Sequence, residues 1–227
     1  ATTLPPQTEP TIGDMLSLKH ISWAYYSGAW QYTLDHGNHT PVPNFQYHHQ
    51  PFNYYANFAP GTEARREHIR DAGLGGVSFI AAIDDGVLPQ VSFYKPQGNL
   101  NEHSGYADIQ AGDRHIADVV SHLEKSPQWA HMLVVVTYDE NGGIWDHVAP
   151  PKGDRWGPGT RIPAIIISPF AKRDYVDHTP YDTTSILRFI TERFALPELH
   201  GIVVRDKAVA ANGEPPLGDL TGALDLH

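Results

Sequence analysis

The run Met132-Leu-Val-Val-Val-Thr-Tyr-Asp-Glu-Asn-Gly-Gly-Ile-Trp-Asp-His-Val-Ala-Pro-Pro151 constrains this chain more than any other stretch. Its consecutive apolar, partly β-branched residues read as a buried strand. The strand stops at Asp139 and Glu140. Adjacent carboxylates repel each other unless a cation sits between them. Asn141-Gly142-Gly143 calls for a tight turn, because glycine reaches positive φ at little cost. Asp146 and His147 follow within reach of the same spot. Asp-Glu-Asn-Gly also makes an ordinary turn, in which Asp139 merely caps the loop. Four oxygen or nitrogen ligands within nine residues of a buried strand shift the balance toward a metal or phosphate site. In α/β sheets, chemistry gathers beyond the carboxyl ends of the strands.

The rest of the chain fits such a sheet. Thr11-Ile-Gly-Asp14 predicts a capping box, with Ile12, Met15 and Leu16 at helical spacing behind it. Strands are predicted over residues 21–25, 89–94, 132–138 and 162–168. Helices are predicted over 62–72 and 76–82. A third is predicted over 112–125, on the stripe Ile116, Val119, Val120 and Leu123, and a fourth after Asp182 with Ile186, Phe189, Ile190 and Phe194. Residues 31–60 show no period and read as a long excursion over a site; the tail from His200 reads as irregular. Alternating helices and two-sided apolar strands give an α/β class, a mostly parallel sheet flanked by helices. Residues 1–10 read as an exposed linker or cleavage region, and 11–227 as part of a single domain.

Composition removes several function classes. The net charge of −10 argues against nucleic acid as a partner. It leaves phosphate substrates open, since a bound cation reverses the local sign. With no cysteine, there is no disulfide, thiolate metal site or cysteine nucleophile. No apolar stretch approaches the ~20 residues that span a bilayer. No P-loop, Gly-rich dinucleotide turn or Gly-x-Ser-x-Gly elbow is present.

Other candidates sit beyond predicted strand ends. His103, in Asn101-Glu102-His103, is placed to bind a phosphoryl oxygen or to protonate a leaving group, with Glu102 to orient it. An exposed loop histidine is the plain alternative. Lys95 ends its strand, where it meets a phosphate or simply solvent. Asp146 and His147 either brace the 139–151 loop by hydrogen bonds or ligate directly. Arg161 is expected to pair with Asp154 or a core carboxylate. The aromatic loop around His48-His49 could line a substrate pocket, and His178 is expected to fix the turn before Asp182. The catalytic candidates are therefore His103, Glu102 and His147. His103 and Lys95 are the substrate-binding candidates, and Asp139 and Glu140 the metal ligands.

Tyr138-Asp-Glu-Asn-Gly-Gly-Ile-Trp-Asp-His-Val-Ala-Pro-Pro151 resembles the signature of the bacterial phosphoesterase family, which joins acid phosphatases and non-haemolytic-type phospholipases C within the alkaline phosphatase superfamily. Val91-Ser-Phe-Tyr-Lys-Pro96, Asn101-Glu-His-Ser-Gly-Tyr-Ala-Asp108, Gly157-Pro-Gly-Thr-Arg-Ile-Pro163, Asp182-Thr-Thr-Ser185 and Pro216-Leu-Gly-Asp-Leu-Thr221 agree, in order. The likeness is greatest to the acid phosphatase branch; Ser104 stands where the family usually has Pro. The resemblance implies an alkaline-phosphatase-like fold, incomplete without an N-terminal half. That half carries a Glu-Asn metal motif and the nucleophilic Ser or Thr, neither of which is found in this chain. It also implies that Asp139 and Glu140 hold a divalent metal: Ca, Mg, Mn, Fe or Zn. The implied activity is metal-dependent hydrolysis of phosphate monoesters in a secreted or periplasmic bacterial enzyme. The partners expected are the N-terminal segment of the same precursor and a phosphorylated small molecule or lipid headgroup. A phospholipase C acting on diesters is one alternative; a non-catalytic phosphate- or partner-binding remnant is the other.

Overall fold

The computed structural model describes residues 6–226. Residues 1–5 of the expected linker lie outside the described residues. Residues 6–10 are exposed, yet Gln7 is tied into the chain: its N–H donates to the Tyr54 carbonyl at 2.7 Å, and its carbonyl accepts from Ala56. The chain packs as two compact units. Of the described residues, one comprises 6–10 and His20–Trp129; the other comprises Thr11–Lys19 and 130–226.

The first unit is built on a parallel sheet. Strands β1 (Trp23–Gly28), β2 (Ile69–Gly73) and β3 (Val91–Lys95) lie in the order β2-β1-β3. Tyr25 sits opposite Ile69 on one side of β1 and Phe93 on the other. Successive side chains of a strand point to opposite faces, and β1 uses both. Trp23 and Tyr25 meet Phe52, with Trp23 also against Phe58 and stacked on His68 at 4.2 Å. Tyr26 points the other way, onto Phe79 of α4 (Val77–Asp84). Burying large apolar side chains of this kind contributes roughly 2 kcal/mol each. The stretch from 31 to 60 is thus not all irregular: it opens inside helix α2 (Trp30–His36), and in the short 3-10 turns that follow Phe52 and Phe58 cover one sheet face.

Helix α3 (Glu63–His68) starts at Thr62, whose hydroxyl accepts from the Arg65 N–H, and gives way to β2 at Ile69. The single helix expected over 62–72 is therefore half helix and half strand. Ile-Arg-Asp-Ala-Gly has little strand propensity, and pairing with the apolar β1 overrides it. Helix α5 (Ile109–Lys125) is capped by the Asp108 carboxylate and buries Gly112, His115, Val119 and Leu123.

In the second unit the expected capping box is present. The Thr11 hydroxyl accepts from the Asp14 N–H, and the Asp14 carboxylate accepts from Thr11 at the start of α1 (Ile12–Leu18). Strands β4 (Val134–Thr137) and β5 (Ala164–Ile167) pair antiparallel, Val134 opposite Ile167. The fold is α/β with a parallel three-stranded sheet flanked by helices, consistent with an alkaline-phosphatase-like fold; β4–β5 adds an antiparallel pair. Helix α6 (Thr184–Arg193) is capped by Asp182 as expected, its carboxylate accepting from the Thr184 N–H at 2.8 Å. The tail is not irregular: α7 (His200–Ala211) buries Ile202, Arg205 and Val209. Its apolar residues run all round the helix, so no stripe announces it. Among the described residues no helix is long and apolar enough to cross a membrane.

Candidate active site

In the first unit the carboxyl ends of the parallel strands fall together at Ser27-Gly28, Gly73 and Lys95. Ser27 and Lys95 are register partners, so Lys95 stands at the carboxyl edge of the sheet, half-buried. The Gln50 side chain donates to the buried Ser27 hydroxyl at 2.8 Å, which brings the His48-His49 turn to the end of β1. His49 is buried and His48 exposed. Gln97 accepts from the Gly75 N–H at 2.7 Å and so ties the exit of β3 to the turn before α4. Sequence reasoning passed over Gln50 and Gln97, because an amide announces its partner only once the chain has folded.

His103 is half-buried on the loop between β3 and α5. Its ring stacks on Tyr106 at 4.6 Å, and its N–H donates to the Asn101 side chain. Nδ1 lies 2.7 Å from the Ser104 carbonyl. A carbonyl only accepts, so the proton sits on Nδ1 and the lone pair of the neutral ring is on Nε2. Glu102 has φ +64° and lies against helix α5: a Cβ at Gly112 would come within 2.2 Å of its Cγ.

In the second unit Asp139 and Glu140 are both exposed, side by side beyond the end of β4. The turn that follows is the one the sequence calls for, with Gly142 at φ 64° and Gly143 at φ 75°. The Glu140 carboxylate accepts from the Gly142 N–H at 2.7 Å, and the Asn141 side chain accepts from Gly143 and donates to the Thr160 hydroxyl. Asp146 accepts twice from the Arg161 guanidinium, once from the Arg161 N–H and once from the Val148 N–H. The Arg161 hydrogen bonds hold the Asp146 carboxyl well below the usual carboxylate range. Asp146 therefore braces the loop. His147 is exposed, its Nδ1 3.7 Å from Asp146. The expected Arg161–Asp154 pairing does not form: Asp154 and Asp182 both bind Arg205 of α7, which leaves Arg161 to Asp146.

Lys95, Glu102 and His103 thus belong to one unit, and Asp139, Glu140 and His147 to the other. Among the described residues no group of three or more His, Cys, Asp or Glu could hold a metal ion. Asp139 and Glu140 supply two hard oxygen donors of the six or more such cations commonly take, so within this chain they do not close a coordination shell. A cavity of about 440 Å³ lined by Arg188, Glu192, Glu198 and Asp206 of α6, α7 and their connection contains none of the candidates.

The Phosphoesterase family model matches residues 1–197. Phospholipase C B of Mycobacterium tuberculosis is 30% identical over 175 residues, covering 66% of this chain and 32% of that protein. Non-hemolytic phospholipase C of Burkholderia pseudomallei is 30% identical over 207 residues, covering 77% of this chain and 29% of that protein. Hemolytic phospholipase C of Pseudomonas aeruginosa is 26% identical over 236 residues, covering 90% and 29%. The chain thus spans about a third of the length of the curated relatives it matches.

Proposed function

The chain belongs to the Phosphoesterase family, and from that membership we propose that it is the carboxylate-bearing part of a phosphoric ester hydrolase acting on the phosphodiester of a phospholipid headgroup. The observation that carries the hydrolase reading is the exposed Asp139–Glu140 pair at the end of β4, at the foot of a loop locked by Asp146 and Arg161. The names of the relatives support the diester.

In this reading Asp139 and Glu140 hold a divalent cation, Mg, Ca, Mn, Fe or Zn, together with ligands from an N-terminal portion of a longer protein, which also supplies the attacking Ser or Thr. The bound metal supplies charge stabilisation at phosphorus. His103 acts through Nε2: in the imidazolium form, with a proton on each ring nitrogen, it gives the Nε2 proton to the leaving oxygen and is left as the neutral Nδ1–H ring held by the Ser104 carbonyl and Tyr106. Glu102 positions that loop, and Lys95 offers a cation to the substrate phosphate. His147, beside Asp146, has solvent access for relaying a proton. The enzyme is secreted or periplasmic.

A second reading, hydrolysis of phosphate monoesters, rests on the segments that resemble the acid phosphatase branch. Turnover of p-nitrophenylphosphorylcholine and p-nitrophenyl phosphate separates the two, measured with divalent metal on this chain before and after adding the N-terminal portion. The proposal expects turnover only after addition, with the diester preferred. Preference for the monoester selects the second reading. Phosphate binding without turnover of either substrate would leave a non-catalytic domain.

A further inference from the structure

We propose that the loop from Ile144 to Trp156 is a docking surface for the headgroup region of a phospholipid bilayer, an inference that rests on the phospholipid reading above. Trp145 is 82% exposed, Trp156 78% and Ile144 65%, with Val148 exposed between them. Tryptophan is highly buried on average, so two bare indoles on one short loop mark a surface that meets something apolar.

The charges say what that something is. Both carboxylates of the loop are occupied: Asp146 by Arg161, Asp154 by Arg205. Lys152 and Arg155 remain: among the described residues neither side-chain cation makes an ion pair, the Glu214 carboxylate meeting Lys152 at its backbone N–H, at 3.0 Å. The Arg155 guanidinium lies 4.3 Å over the Trp156 ring. On a chain of net charge −10 this local pattern, two unpaired cations among bare aromatics, complements a phosphate-bearing surface with an apolar interior. The Asp146–Arg161 bonds and the bridge between Asp154 and Gly157 hold the loop in shape before it binds. The loop grows from the Asp139–Glu140 end of β4, so docking sets the headgroup plane beside the carboxylates.

The test is cosedimentation, at low salt, of this chain and of the complete protein with vesicles of equal parts phosphatidylcholine and phosphatidylglycerol. Both are expected to sediment. W145A/W156A lowers the affinity by about tenfold or more, and W145F/W156F restores most of it. K152Q/R155Q lowers it by about tenfold at low salt and by less as salt rises. V87S, at an exposed valine of the first unit, leaves it unchanged. Equal binding by W145A/W156A overturns the proposal. So does failure of the complete protein to bind with its tryptophans shielded from acrylamide, which would make the loop a protein–protein interface. Turnover of soluble p-nitrophenylphosphorylcholine needs no surface. Intact turnover without vesicle binding sinks the docking alone, and vesicle binding without turnover sinks the hydrolase reading alone.

Discussion

Arg161 grips Asp146 with both arms of its guanidinium, Nε to Oδ2 at 2.9 Å and Nη2 to Oδ1 at 2.8 Å. A planar fork on a carboxylate fixes direction as well as distance. This pair closes the loop that carries Asp139 and Glu140 at its foot. D146A is expected to raise amide exchange at Val148, whose N–H donates to Asp146, by about tenfold or more. The Asp146 carboxyl titrates below its ordinary value of about 3.9 because of Arg161. A depressed folded pKa means that the brace is in full force above that ordinary range and is lost as the pH falls through the lower folded value. Unchanged exchange in D146A would contradict the role.

Gly112 gives Glu102 its place. A methyl group there would stand 2.2 Å from the Glu102 Cγ. G112A is expected to cost about 1–3 kcal/mol by overpacking and to move the Glu102-His103 loop, seen as a change in the His103 ring chemical shifts. Urea denaturation and those shifts check both effects, and wild-type values for both would contradict the packing.

The Tyr94 hydroxyl and His115 Nε2 lie 2.5 Å apart behind Phe79. Burial pushes the Tyr94 phenol up and the His115 imidazole down, Asp118 partly offsetting the latter. With the folded His115 value below the unfolded ~6.5, the unfolded chain takes up the proton first. Stability is therefore full above that value and falls as the pH drops below it. Y94F is expected to cost about 1–2 kcal/mol at neutral pH by stranding a buried partner. H115F removes the His115 part of the pH dependence. Urea midpoints between pH 5 and 8 read both, and an unaltered pH slope in H115F would refute the assignment.

Arg205 holds Asp154 at 2.9 Å and Asp182 at 2.5 Å, and the Asp182 carboxylate also caps α6. All three side chains are largely buried. R205A is expected to destabilise by about 3 kcal/mol, because it strands two carboxylates. R205K restores part of this, since an ammonium cannot bind bidentately. Calorimetry of the two variants checks the order; equal midpoints for R205A and wild type would rule the network out as a stabilising element.

The sequence was most legible where local chemistry decides the outcome. The Thr11–Asp14 box, the Asp182 cap and the Gly142-Gly143 turn each rest on residues within a few positions of one another. What it did not show depends on distant partners. Ile69–Gly73 becomes a strand only because β1 lies beside it. In the aromatic stretch from 45 to 58, Phe52 and Phe58 pack on Trp23, and Phe45 on Trp30. Helix α7 was hidden because its apolar residues run all round it, and Arg161 chose Asp146 because Arg205 occupies Asp154. Of the candidate site, the Asp139–Glu140 pair could be read directly from a strand that ends in two carboxylates. The Gln50–Ser27 and Gln97–Gly75 links could not, because their partners are 23 and 22 residues away.

The most direct test of the central claim is kcat/KM of D139N in the complete protein with p-nitrophenylphosphorylcholine and saturating divalent metal. The account predicts a fall of about 10²-fold or more, with bound metal reduced. Turnover within a few-fold of wild type, with metal retained, would contradict it.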